Sequence, residues 1–232
     1  MRGYKMLLKG TEQLDDLKSF ILDWFGKYDK TNGVPEAEIP PNLPRALREL
    51  YKFAGRWKDG SDGHQENSPE IFQHQDCLYS IEQLIFDGDR ITFLEENQGN
   101  WTCQVESRND DSPVYCDEYL LRGDYTEEHV IVSRSLYHFL KSFCLQEIVF
   151  GCKHLYAIDE ATDNIKRLFG ASIEEIWIGG HYIAGEPTHS FYRCGDALMM
   201  EYFGDYWLGY NCDSPMALNK KVLSSMKHRK IN

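Results

Sequence analysis

Chemistry in this chain would have to come from its carboxylates, histidines, cysteines or glycine turns, and the spacing of each argues against catalysis. Glu95 and Glu96 are adjacent, so on a strand they point to opposite faces and cannot divide acid and base work between them. Asp110 and Asp111 fail in the same way if their segment is extended. The eight histidines are scattered. His181 and His189 could approach one another across a hairpin, but a metal site needs three or four ligands and no carboxylate or thiol is spaced to complete the set. Gly179-Gly180, after Ile176-Trp177-Ile178, comes nearest to a phosphate loop. Anion binding there requires a helix N-terminus, and His181-Tyr182-Ile183-Ala184 does not open one, so the pair reads as a strand-connecting turn. Asp59-Gly60-Ser61-Asp62-Gly63 suggests calcium but lacks the EF-hand spacing and its terminal Glu, and reads as a mobile loop. No nucleophile elbow, P-loop, dinucleotide fingerprint or HExxH is present. The expectation is a protein with no catalytic residues, no metal and no cofactor, one that acts by binding.

Composition narrows the partner. With Lys and Arg at 25 against Asp and Glu at 37, the net charge is −12. A phosphate-tracking surface needs clustered positive charge, so neither nucleic acid nor an anionic membrane is an expected partner. Acidity fits a basic protein partner, or solubility alone. The seven cysteines, Cys77, Cys103, Cys116, Cys144, Cys152, Cys194 and Cys212, form no CxxC pair. They read as free thiols packing as small hydrophobes in a reducing compartment. Lys5 and Lys9 interrupt the N-terminal apolar residues, no signal-peptide core is present, and no window approaches the roughly 18 apolar residues of a membrane span. A cytoplasmic location is expected.

The elements that must position any binding surface can be read from periodicity. Leu14, Leu17, Phe20, Ile21, Trp24, Phe25 and Tyr28 recur at helical spacing after Thr11, a suitable N-cap, predicting a helix over 12–28. Leu43, Leu47, Leu50, Tyr51 and Ala54 predict a second over 42–54, with Pro44 near its start and Gly55 at its end. A third, over 135–150, follows Ser133 or Ser135 and shows Leu136, Phe139, Leu140 and Phe143 on one face. Residues 56–76 read as a polar loop. Period-two alternation predicts strands near 77–81, 90–95, 100–106, 113–117 and 129–133. Strands bracketed by helices, without βαβ alternation, indicate an α+β fold with an antiparallel sheet packed against several helices.

Several of these segments, taken in order, resemble a known family. Leu43-Pro44-Arg45-Ala46-Leu47-Arg48-Glu49-Leu50-Tyr51 looks like a Leu-Pro-x-x-Leu-x-x-Leu/Tyr helix. It is followed by the segment from Ile91 to Trp101, by Asp111-Ser112-Pro113-Val114-Tyr115, by Ser135-Leu136-Tyr137-His138-Phe139-Leu140 and by Gln146-Glu147-Ile148-Val149-Phe150-Gly151. The ordered set resembles the SUKH superfamily, which groups bacterial toxin-immunity proteins with fungal regulators of cell-wall assembly, and it covers roughly residues 35–151. The resemblance implies a SUKH-like domain over 1–151. It also implies an immunity protein that binds and neutralises a toxin domain, such as a basic nuclease, of a bacterial secreted effector. The alternative it implies is an intracellular regulatory or scaffold protein. A third reading, a hydrolase assembled from distant loops, has no residues to support it.

Residues 152–232 exceed what the resemblance explains. Asp159 can cap a short helix bearing Ala161, Ile165, Leu168 and Phe169. Strands are expected at 176–178, 182–183, 190–192, 197–202 and 206–210. Their aromatic density argues for a C-terminal extension packed on the same core, as a continuation of the sheet. The run Met200-Glu201-Tyr202-Phe203-Gly204-Asp205-Tyr206-Trp207 echoes Glu95-Glu96-Asn97-Gln98-Gly99-Asn100-Trp101, either as a partial repeat or because hairpins are stereotyped. The candidate partner-binding residues are therefore Glu95, Glu96, Gln98, Trp101, Asp110 and Asp111 near the polar turn, with Asp205 and Tyr206 in its echo. Trp101 is equally suited to holding the fold.

Overall fold

The structure, a computed structural model, describes residues 13–26, 28–60, 68–117, 130–158, 173–179 and 189–212, and the backbone of 228–230. The three expected helices are present. Helix α1 (Asp15–Phe25) buries Leu17, Phe20 and Ile21 and ends where Gly26 turns left-handed at φ 67°, before Tyr28. Thr11 lies outside the described residues, and Leu14 occupies the N-cap. Helix α2 (Arg45–Ala54) follows Pro44 and buries Ala46, Leu47, Leu50, Tyr51 and Ala54. Helix α3 (Leu136–Phe150) is capped by Ser135, whose hydroxyl accepts from His138 N at 3.3 Å.

The first sheet holds β1 (Asp76–Leu78), β2 (Ile85–Asp87), β3 (Arg90–Glu96), β4 (Thr102–Glu106), β5 (Val114–Cys116) and β6 (Val130–Ser133). Every pairing is antiparallel. The order is β1-β3-β4-β5-β6, with β2 beside β3 on the edge shared with β1. Alternation along β4 buries Cys103 and Val105 and leaves Thr102, Gln104 and Glu106 on the opposite face. A register shift in β3 between Thr92 and Leu94 breaks strict alternation, so that Phe93 and Leu94 are both buried.

The C-terminal strands form a second sheet instead of extending the first. It contains β7 (His154–Ile158), β8 (Glu174–Gly179), β9 (His189–Cys194), β10 (Ala197–Tyr202), β11 (Asp205–Tyr210) and β12 (His228–Lys230) in the order β12-β7-β11-β10-β9-β8. The expected helix after Asp159 and the expected strand at 182–183 lie outside the described residues.

Helix α3 explains why the sheets stay separate. Toward the first sheet and its flanking turn it presents Phe139, 5.8 Å from the Phe93 ring, and Phe143, 6.1 Å from Phe72. Toward the second, Ser142 Oγ accepts from Trp177 Nε1 at 2.9 Å and Phe150 lies 5.0 Å from Trp207. At the second contact Gly209 is required, because a Cβ there would fall 2.6 Å from Cys152 Sγ and 2.7 Å from the Val149 carbonyl oxygen. Strand β11 can approach the end of α3 only without a side chain. One buried apolar cluster consequently runs from Leu14 on α1 through Phe93 and Phe139 to Leu198 and Met200 on β10. The described parts of the expected loop at 56–76, residues 56–60 and 68–76, are less polar in their packing than the composition indicates, and the rest of that loop, 61–67, lies outside the described residues. Trp57, Ile71 and Phe72 enter the core, and a 3₁₀ turn forms at Glu70–Phe72.

Candidate functional site

The polar turn joining β3 and β4 is built by its own side chains. Gly99 adopts φ 70°, and its amide donates to the Glu96 carbonyl at 2.8 Å. The Glu96 carboxylate accepts from Gln98 N at 3.0 Å, Asn100 N at 3.2 Å and Asn100 Nδ2 at 3.0 Å. Its oxygens are thus engaged by the donors of its own turn. Glu95 accepts from the Tyr79 hydroxyl at 3.0 Å, and Trp101 is only 9 % exposed. Gln98 is the one candidate in this turn whose side chain is exposed.

Asp110 and Asp111 lie between β4 and β5, at the end of the sheet opposite that turn. Asp110 is exposed, whereas Asp111 Oδ1 accepts from Ser135 Oγ at 2.7 Å and Tyr137 N at 3.3 Å. A carboxylate placed on the first amides of α3 meets both their unpaired donors and the positive end of the helix dipole. Asp205 is exposed beside the two-residue β10–β11 turn, in which Phe203 and Gly204 both take positive φ, and Tyr206 is buried. The echo between the hairpins has a physical counterpart, since Glu201 Oε1 accepts from Gly204 N at 3.0 Å much as Glu96 serves its own turn. The eight candidates therefore fall on three turns and do not form one constellation.

A broader surface appears on the face of the first sheet turned away from α3, where period-two geometry aligns residues across the strands. Ile85, Thr92, Gln104, Tyr115 and Ile131 are successive register partners on β2, β3, β4, β5 and β6. Beside this row stand Asp87, Arg90 and Glu106, also in register. The Arg90 guanidinium lies 3.5 Å over the Tyr115 ring and 4.0 Å from Glu106. Tyr115 donates its hydroxyl to Glu106 Oε1 at 2.6 Å, and Asn109 Nδ2 donates to Oε2 at 3.0 Å. The Tyr115 and Asn109 bonds, with Arg90, hold the Glu106 carboxyl below its ordinary range, and Glu106 in turn raises the Tyr115 phenol. The group is preorganised and charged. Sequence reading singled out Glu95 from this face but not Arg90, Glu106 or Tyr115, although strict alternation in β4 and β5 was the signal that could have found them.

A second polar cluster ties α3 to β1. Glu147, wholly buried, accepts from His74 N at 2.6 Å, Gln75 N at 2.9 Å and Asp76 N at 3.1 Å. Gln146 Nε2 donates to Asp76 Oδ2 at 2.8 Å. Burial, and then Asp76, push the Glu147 carboxyl up to about 8 against the opposing pull of the three amides. His74 Nε2 lies 3.0 Å from Asp59 Oδ2. Nearby Cys77 has its thiol pushed up to about 12, chiefly by burial, and so stays protonated. This is the chemistry of an anchored strand entry, with no activated nucleophile.

Among the described residues no group of three His, Cys, Asp or Glu side chains is placed to hold a metal, and no helix is long and apolar enough to cross a membrane. His189 is buried against Phe191 and Tyr202, while His181 lies outside the described residues. Comparison with family models, with curated proteins and with solved structures finds no match. The likeness to the SUKH superfamily accordingly rests on the residues quoted for it.

Proposed function

We propose that this chain is an immunity protein, a cytoplasmic binder that occludes the toxic domain of a bacterial secreted effector in a stoichiometric complex. The observation that carries the reading is that the SUKH-like segments, scattered over more than a hundred positions, converge on one core. Leu43, Leu47, Leu50, Tyr51, Phe93, Trp101, Val114, Leu136, Phe139, Leu140 and Ile148 all belong to the same buried cluster. Motif residues used in this way form a scaffold, and specificity is left to the surface residues they support. Binding alone asks for a rigid frame, aromatic anchors and complementary charge. The charge of −12 favours a basic partner, such as a nuclease domain shaped for a polyanionic substrate.

The test pairs the chain with the C-terminal domain of a secreted protein encoded beside it. Calorimetry should give a one-to-one complex, and growth of cells expressing that domain should recover only when the chain is at least equimolar. Rescue at strongly substoichiometric levels would replace binding with an enzymatic action on the toxin or its product. Failure to bind would remove the reading.

A further inference from the structure

We propose that the face of the first sheet turned away from α3 is the docking surface for a basic protein domain, and that the β3–β4 turn is not. The inference rests on the immunity reading and assigns its interface.

Three observations converge on this face. It is held rigidly, because each strand of the row from Ile85 to Ile131 is hydrogen-bonded to the next and the buried face beneath packs on α3. It carries apolar contact area at both ends of the row, with Ile85 54 % and Ile131 41 % exposed, and the half-buried Tyr115 between them. Tyr115 stands directly beside Ile131, with Ile85 at the far end of the row beyond Gln104 and Thr92, and an aromatic next to an exposed aliphatic side chain is a composition favoured at interface centres. Its charge is also one-sided among the described strand residues. Asp87, Glu95 and Glu106 alternate onto this face, and the single guanidinium, Arg90, is already stacked on Tyr115 beside Glu106.

That charge selects the occupant. A second copy of the chain would oppose the same carboxylates across the contact, which is repulsive. Nucleic acid is repelled for the same reason. A basic protein surface meets both the carboxylates and the exposed isoleucines. In the β3–β4 turn the Glu96 carboxylate keeps its charge but folds back on the amides of Gln98 and Asn100, and no exposed apolar side chain stands beside it.

The experiment uses the full chain and the toxin domain encoded beside it. Ile131→Lys and Asp87→Lys alter exposed positions on the proposed face, and Ile178→Lys makes the same change at a 48 % exposed position of β8 on the other sheet. The first two should weaken binding by about tenfold or more, and the third by no more than about twofold. Unchanged melting curves show that each variant is folded. Hydrogen exchange of the complex should protect β4 and β5 beyond their protection in the free chain. Equal losses for all three variants, added protection confined to 97–100, or a free-chain dimer closed over this face would overturn the assignment while leaving a toxin binder in place. If the toxin domain does not bind at all, the immunity reading fails and the assignment falls with it.

Discussion

The ammonium of Lys141, completely withdrawn from solvent in the middle of α3, lies 2.9 Å from Asp16 Oδ2 on the first turn of α1, whose side chain is 20 % exposed. The pair is asymmetric. Losing the lysine leaves a carboxylate that water can reach, whereas losing the aspartate takes a carboxylate partner from a wholly buried cation, whose Trp177 ring contact at 5.3 Å is among the interactions that stay. Asp16→Ala should therefore destabilise the protein by about 1 to 3 kcal/mol, more than Lys141→Met does. Urea unfolding of both variants checks the order, and a Lys141→Met loss larger than that of Asp16→Ala would contradict it.

Two buried groups shape the pH dependence of stability in opposite senses. Glu147 rises from 4.5 when unfolded to about 8 when folded, so its contribution is complete below pH 4.5 and is lost as pH rises toward 8. His189 falls from 6.5 to about 3, because burial penalises its cation, so its contribution is complete above pH 6.5 and is lost as pH falls toward 3. Between 4.5 and 6.5 the two slopes oppose each other, and stability should peak there. Each limb should have a slope of up to about 1.4 kcal/mol per pH unit. Denaturation across pH should show that Glu147→Gln flattens the alkaline limb and His189→Phe the acid limb. A profile unaltered by both substitutions would refute the assignment.

Neighbouring candidates should differ sharply in their effect on the fold. Asp111→Ala removes the carboxylate from Ser135 and the first amides of α3, and should cost about 1 kcal/mol. Asp110→Ala, at an exposed position, should change stability by less than about 0.5 kcal/mol. Trp101→Ala, which empties a buried site, should cost about 3 to 5 kcal/mol. Thermal unfolding separates the three. A Trp101→Ala protein that melts like the parent but no longer binds would restore this tryptophan to the interface.

These contrasts show what the sequence could and could not disclose. Helices α1, α2 and α3 and five strands of the first sheet were legible because one face of each is apolar and the other polar. Helix α3 was only half legible. Lys141, Ser142, Gln146 and Glu147 look like a solvated face, yet each is buried, because the second sheet and the entry to β1 satisfy them from distant parts of the chain. Strand β2 was missed since all three of its residues are exposed and carry no alternation in burial. At the candidate site the acidic residues were visible as types, but their duties were not. Whether a carboxylate is spent on a turn, as in Glu96, or on a helix end, as in Asp111, depends on amides that only the fold brings near. The cross-strand row from Ile85 to Ile131 depends on register, which no single segment encodes.

Association with a basic partner should be steered by charge. Raising ionic strength from about 0.01 M to about 1 M shortens the screening length from about 30 Å to about 3 Å, so an acidic surface loses its reach while short-range contacts persist. The association rate should fall steeply over such a salt series and the dissociation rate should change little. Asp87→Lys and Asp110→Lys, both at exposed positions near one end of the first sheet, should slow association and flatten its salt dependence. Glu96→Gln, which removes one charge where each lysine substitution changes two and which lies off the proposed face, should do so less. Stopped-flow mixing with the toxin domain reads both rates. An association rate independent of salt would remove steering from the account, and a stronger effect from Glu96→Gln than from Asp87→Lys would return the contact to the β3–β4 turn.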